Sequence, residues 1–126
     1  MGMTNAGGTF VAQAILGESV TVFNAANAYL GVGDSNTAFA VAQTDLQAAS
    51  NKARQGMDSS YPTRSTRTIT WRATFGTSSA NYAWQEWGVF NASSSGTMLA
   101  RVVESLGTKT SAQSWQLEVQ LTLVPS

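Results

Sequence analysis

The sequence predicts an all-β protein: an antiparallel β-sandwich of about seven strands, jelly-roll-like or Ig-like, with at most one short helix. Three observations carry that expectation. Residues 68–75 and 115–123 alternate cleanly between apolar and polar positions, as half-buried strands do. Residues 82–103 fold back on themselves around a loop of small residues, and turn-forming residues recur between the apolar segments along most of the chain. An OB-like or closed small barrel is the nearest alternative architecture.

Taken in order, residues 1–17 form an N-terminal arm or first strand ahead of a single sandwich domain, 18–126. Gly7 and Gly8 are a flexible joint. The apolar run 10–16 also fits a short helix capped by Thr9. Residues 19–23 and 28–33 read as strands, the second ending in the turn Gly33-Asp34-Ser35-Asn36. Residues 44–49 suit one or two helical turns capped by Thr44 or Asp45. Residues 52–58 form a strand with Ala53, Gln55 and Met57 on one side, and their charges at 52, 54 and 58 suit a sheet edge. A loop containing Pro62 follows over 59–67. Ile69, Trp71, Ala73 and Phe75 then share one face of the next strand. After a polar loop over 105–114, Trp115, Leu117, Val119, Leu121 and Leu123 share one face of the last; a slip of one residue would turn that whole row to water.

In the hairpin 82–103, Trp84, Glu86, Gly88 and Phe90 lie on one side of the first strand; Ala83, Gln85, Trp87 and Val89 lie on the other. Trp84 and Trp87 cannot enter one core without a bulge. One of them is expected to pack the core and the other to meet a partner, a loop or a ligand. With Phe10 and Ile15 they make up the candidate interface.

Composition excludes several functions. Seven basic and seven acidic residues cancel, so the basic surplus that phosphate binding requires is absent and no nucleic-acid partner is expected. No apolar run approaches the roughly 18 residues of a membrane span, and no membrane partner is expected. The first eight residues lack the pattern of a secretory signal, which makes the Asn91-Ala92-Ser93 sequon a coincidence and a cytoplasm the expected site of synthesis. With charged residues at only 11%, self-association is favoured.

The chain has neither Cys nor His, which removes disulfides, a thiolate nucleophile, Ser–His catalysis and the commonest metal ligand. A Ser–Lys pair would need Lys52 or Lys109, whose polar surroundings suggest solvent. Glu86 and Glu104 are the carboxyl pair a glycosidase reading would use, but Glu86 is better explained by an ion pair with Arg72 or Arg101 across a sheet. Asp34 and Asn36 have the spacing of a calcium loop, yet Ala38 takes the next ligand place and no Glu closes it. No enzyme activity, cofactor or metal is expected. Four Trp residues leave a carbohydrate-stacking surface as one alternative.

The series Glu86-Trp87-Gly88-Val89-Phe90, loop, Gly96-Thr97-Met98-Leu99-Ala100 resembles the Glu-apolar-Gly-apolar-aromatic, loop, Gly-Thr-Leu-Leu-Ala pattern of tailed-phage tail-fibre and tail-collar attachment domains. Upstream, Gly31, Gly33 and Asp34, then Thr44 and Leu46, then Arg54 are similar to the series that precedes it in those proteins, in the same order. Trp87 stands where Ile or Phe is commoner, and the Ser-rich loop is longer. The resemblance implies a β-rich virion structural protein, not an enzyme, that oligomerises, often as a trimer, and docks on other phage proteins. A fibre continues into a shaft and tip, whereas this sequence stops at Ser126. A small capsid-decoration protein beside the major capsid protein is therefore the leading expectation, and an attachment module among tail proteins the alternative.

Overall fold

The computed structural model describes residues 1–126. One helix, α1 (Asn5–Ile15), precedes seven strands: β1 (Tyr29–Gly33), β2 (Lys52–Gly56), β3 (Thr63–Ser65), β4 (Thr68–Phe75), β5 (Ala83–Phe90), β6 (Met98–Thr108) and β7 (Trp115–Thr122). They form a four-stranded sheet, β2-β1-β5-β6, and a three-stranded sheet, β3-β4-β7, with every pairing antiparallel. This is the all-β sandwich with one short helix that the alternation predicts. Trp71, Ala73 and Phe75 of β4 and Leu117 and Val119 of β7 form the core with Leu30, Val32, Trp84, Val89 and Ala100 of the larger sheet. Within it the Trp84 ring meets Phe75 and Trp115 edge-on, at centroid distances of 5.0 and 5.1 Å.

The N-terminal residues are neither a first strand nor a free arm. Helix α1 starts at Thr4, five residues before the expected cap; its hydroxyl accepts the Gly7 N–H and donates to the Met98 carbonyl. Just before it, Gly2 and Thr4 bond to Arg101 and Leu99 on the edge of β6. The helix lies so close to β6 that a methyl group on Gly7 would overlap the Leu99 carbonyl. That approach turns Phe10 onto Phe23, ring centroids 4.8 Å apart, and Val11 onto the core.

Four other segments depart from expectation. Residues 19–23 form no strand, because side chains serve their carbonyls: Asn91 bonds to Thr21, Asn27 to Val22 and the Trp71 indole to Phe23. Residues 44–49 form no helix, since the N–H groups of Leu46, Gln47 and Ala48 all point at carboxylates. Strand β3 lies inside the expected loop 59–67, and β6 runs on to Thr108 through a segment expected to be a loop.

The helix–strand contact makes neighbouring glycines respond oppositely. Gly7→Ala is expected to lower stability by about 1–3 kcal/mol through overpacking against β6. Gly8→Ala, with no atom within 4 Å of the new methyl, should raise it by about 0.5–1 kcal/mol. Urea denaturation of the two variants checks both signs.

Candidate functional site

The residues singled out by the motif series meet on the outer face of the larger sheet. Strand registers place Arg54, Gly31, Gly88 and Arg101 in one cross-strand row. On either side run the rows Gly56, Tyr29, Phe90, Met98 and Lys52, Gly33, Glu86, Val103. The middle row is therefore two glycines between two arginines, a trough in the sheet. The Phe90 ring fills it: a methyl on Gly31 would come within 2.8 Å of that ring, and one on Gly88 within 3.1 Å. Leu46, from the connection 34–51, closes over Phe90 and Met98, and the Arg54 guanidinium stacks 3.6 Å from the Phe90 centroid.

Arg54 also ties two loops together. Its Nη1 donates to the carbonyls of Ala92 and Ser95 at 2.8 and 3.0 Å, and its Nη2 donates to Asp45 at 3.3 Å. Gly96 turns the same Ser-rich loop at φ +66°, and the Asn91 side chain accepts the Thr97 N–H at 2.7 Å to close it. Asp34 closes the neck of the connection 34–51, its N–H on the Asn51 carbonyl and its carboxylate on the Asn51 amide.

Glu86 is completely buried beside the trough. One carboxylate oxygen accepts from the Gln47 N–H and Arg101 Nε, each at 2.7 Å; the other accepts from the Ala48 N–H at 2.9 Å. Arg101, equally buried, donates from Nη1 to the Gln43 side chain, while Nη2 has no partner within the protein. Gly33 must lack a side chain, because a methyl there would overlap the Glu86 carboxylate. Of the two partners the sequence offered for Glu86, Arg101 is the one used; Arg72 pairs with Asp58 at 3.0 Å.

Two ionisable groups respond to this packing. Burial pushes the Asp45 carboxyl upward, but the Leu46 N–H bond, Lys52 and the Arg54 charge outweigh it and hold the group below its ordinary value. Burial raises the Tyr82 phenol, with the Asp34 and Glu86 charges adding to it; the hydroxyl donates to the Val32 carbonyl.

Two residues of the series stand apart. Thr44 is exposed on the connection, and Leu99 faces the opposite side of the sheet, in the main core beneath α1. The two tryptophans of β5 are not on opposite faces. The β5–β6 register slips between Trp84 and Glu86, so Trp84, Trp87 and Val89 all pack toward the interior. Trp84 is 1% exposed; Trp87 is half-buried with its indole N–H on Glu104. Of the candidate interface residues, Phe10 and Trp84 are thus engaged by their own chain, while Ile15 is 79% exposed.

Lys109 contradicts its expected exposure. It is buried, and Nζ donates to the Gly76 carbonyl and the Asn81 side chain at 2.6 and 2.7 Å. No sequence signal marks it, since both acceptors lie on a loop about thirty residues away. Arg101 and Gln43, which complete the polar centre, were legible only as far as Arg101's position in the facing strand.

This arrangement holds the connection in place. Both oxygens of Glu86 are occupied by fixed donors, and Glu104 points to the other side of the sheet toward Trp87. The outcome is a connection of 18 residues, 34–51, fastened across four strands. Among known proteins no family model, no curated protein and no solved structure matches this chain.

Removing the Glu86 carboxylate leaves a buried guanidinium and two loop N–H groups without their acceptor. Glu86→Ala is expected to cost about 3–5 kcal/mol in urea denaturation, whereas Glu104→Ala, at an exposed position, should stay within about 0.5 kcal/mol of the parent.

Proposed function

We propose that this chain is a non-enzymatic structural protein of a tailed-phage virion, self-associating and docking on the particle exterior, with capsid decoration as its leading position. The observation that supports this reading best is the convergence of the motif series. Apart from Thr44 and Leu99, its residues are dispersed between Gly31 and Gly96 yet fit together around Phe90 and Glu86 as one packing unit. Short matches arising independently have no reason to share a trough, its filler and its clamp.

Docking of this kind works by burying weakly charged surface. The net charge is zero, and Ile15, Leu16, Val22, Leu123 and Val124 leave apolar side chains in solvent. The partners are other copies of the chain, as a trimer by the family likeness, and the major capsid protein. The tail-fibre or tail-collar module is the alternative, with tail proteins as partners.

An epitope tag on the chain, expressed from the phage genome that carries it, tests the reading. Particles purified on a density gradient should retain the tag, and after separation of heads from tails it should follow the heads. Recovery with tails selects the attachment module, and absence from purified particles overturns a virion role.

A further inference from the structure

The two sheets have four edges, and three of them are protected in familiar ways. Strand β2 carries Lys52 and Arg54; β3 is three residues long; the first half of β6 is covered by residues 2–4 and its second half is broken by Gly107 at φ +100°. Strand β7 has no such device. It runs eight residues in unbroken register with β4, without Pro, Lys or Arg, and Glu118 is its sole charge.

The direction of its free groups follows from one bond. The Leu123 N–H donates to the Arg67 carbonyl on the β4 side, so alternation aims the odd-numbered residues at β4. The main-chain N–H and C=O groups of Gln116, Glu118, Gln120 and Thr122 therefore face outward, and none has a partner in the chain. A hollow flanks the strand at each end. One, of about 450 Å³ and mostly apolar, includes Phe10, Leu121 and Leu123; the other, of about 490 Å³ and mixed in character, sets Leu106, Trp115 and Leu117 beside Ser114, Gln116 and Glu118.

We propose that β7 pairs antiparallel with β7 of a second copy, across a two-fold axis at Val119. The strand is self-complementary in that register. Gln116 meets Thr122 and Glu118 meets Gln120, all as hydrogen-bonded pairs made from the outward groups, while Leu117 meets Leu121 and Val119 meets itself on the core side. Centring on Glu118 would oppose two carboxylates, which disfavours that register. The joined sheets form a continuous six-stranded layer. This pairing is a two-fold contact, distinct from the three-fold one that the family likeness implies, and it does not depend on where on a particle the protein sits.

Sedimentation velocity across a micromolar concentration series tests it, with thermal melting by circular dichroism as the check on folding. The wild type should dimerise. Gln120→Pro removes an outward N–H without touching the ladder to β4, and should raise the dissociation constant at least tenfold. Gln120→Glu should weaken the dimer, because it meets Glu118 of the second copy, whereas Gln120→Lys should preserve or tighten it. Equal weakening by Glu and Lys overturns the Val119 register. A wild type that associates but ignores all three substitutions overturns the β7 contact and leaves self-association standing; a wild type monomeric throughout overturns both.

Discussion

The buried carboxylate of Glu86 is the constraint on which the outer half of this molecule depends. A charge removed from water is tolerated only when its lone pairs are met, and here three N–H donors from two separate segments meet them. Arg101 comes from the neighbouring strand, so that bond reinforces the β5–β6 pairing. The Gln47 and Ala48 amides come from a connection that forms no regular secondary structure. Glu86 thereby converts an 18-residue irregular segment into a fixed layer over the sheet.

The glycines follow from the same centre. Gly33 stands opposite Glu86 and leaves room for its carboxylate; Gly31 and Gly88 leave room for Phe90. Apolar packing by Leu46 and Met98, and the Arg54 stack, then hold down the other end of the layer. The outer layer requires these particular residues.

How much of this was legible in the amino acids depended on whether a feature is local. The faces of β4 and β7 could be read because Ile69, Trp71, Ala73 and Phe75, and then Leu117, Val119 and Leu121, alternate with polar residues over a buried face. The Glu86–Arg101 pair could be narrowed to two partners by strand position. The trough could not be seen, since a glycine indicates that space is needed but not what fills it. The shared face of Trp84 and Trp87 depends on a register slip that no residue type announces. Thr4 was missed as the helix cap because its hydroxyl is also held by Met98, distant in sequence, and Lys109 because its acceptors come from another loop. The open edge of β7 depends on which strands are neighbours, which alternation does not encode.

Amide hydrogen exchange at Gln47 and Ala48 tests the central role of Glu86 most directly. If the carboxylate clamps the connection, both amides exchange only when the outer layer opens, far more slowly than the amide of exposed Thr44 on the same segment. Exchange at Gln47 and Ala48 as fast as at Thr44 would contradict the account.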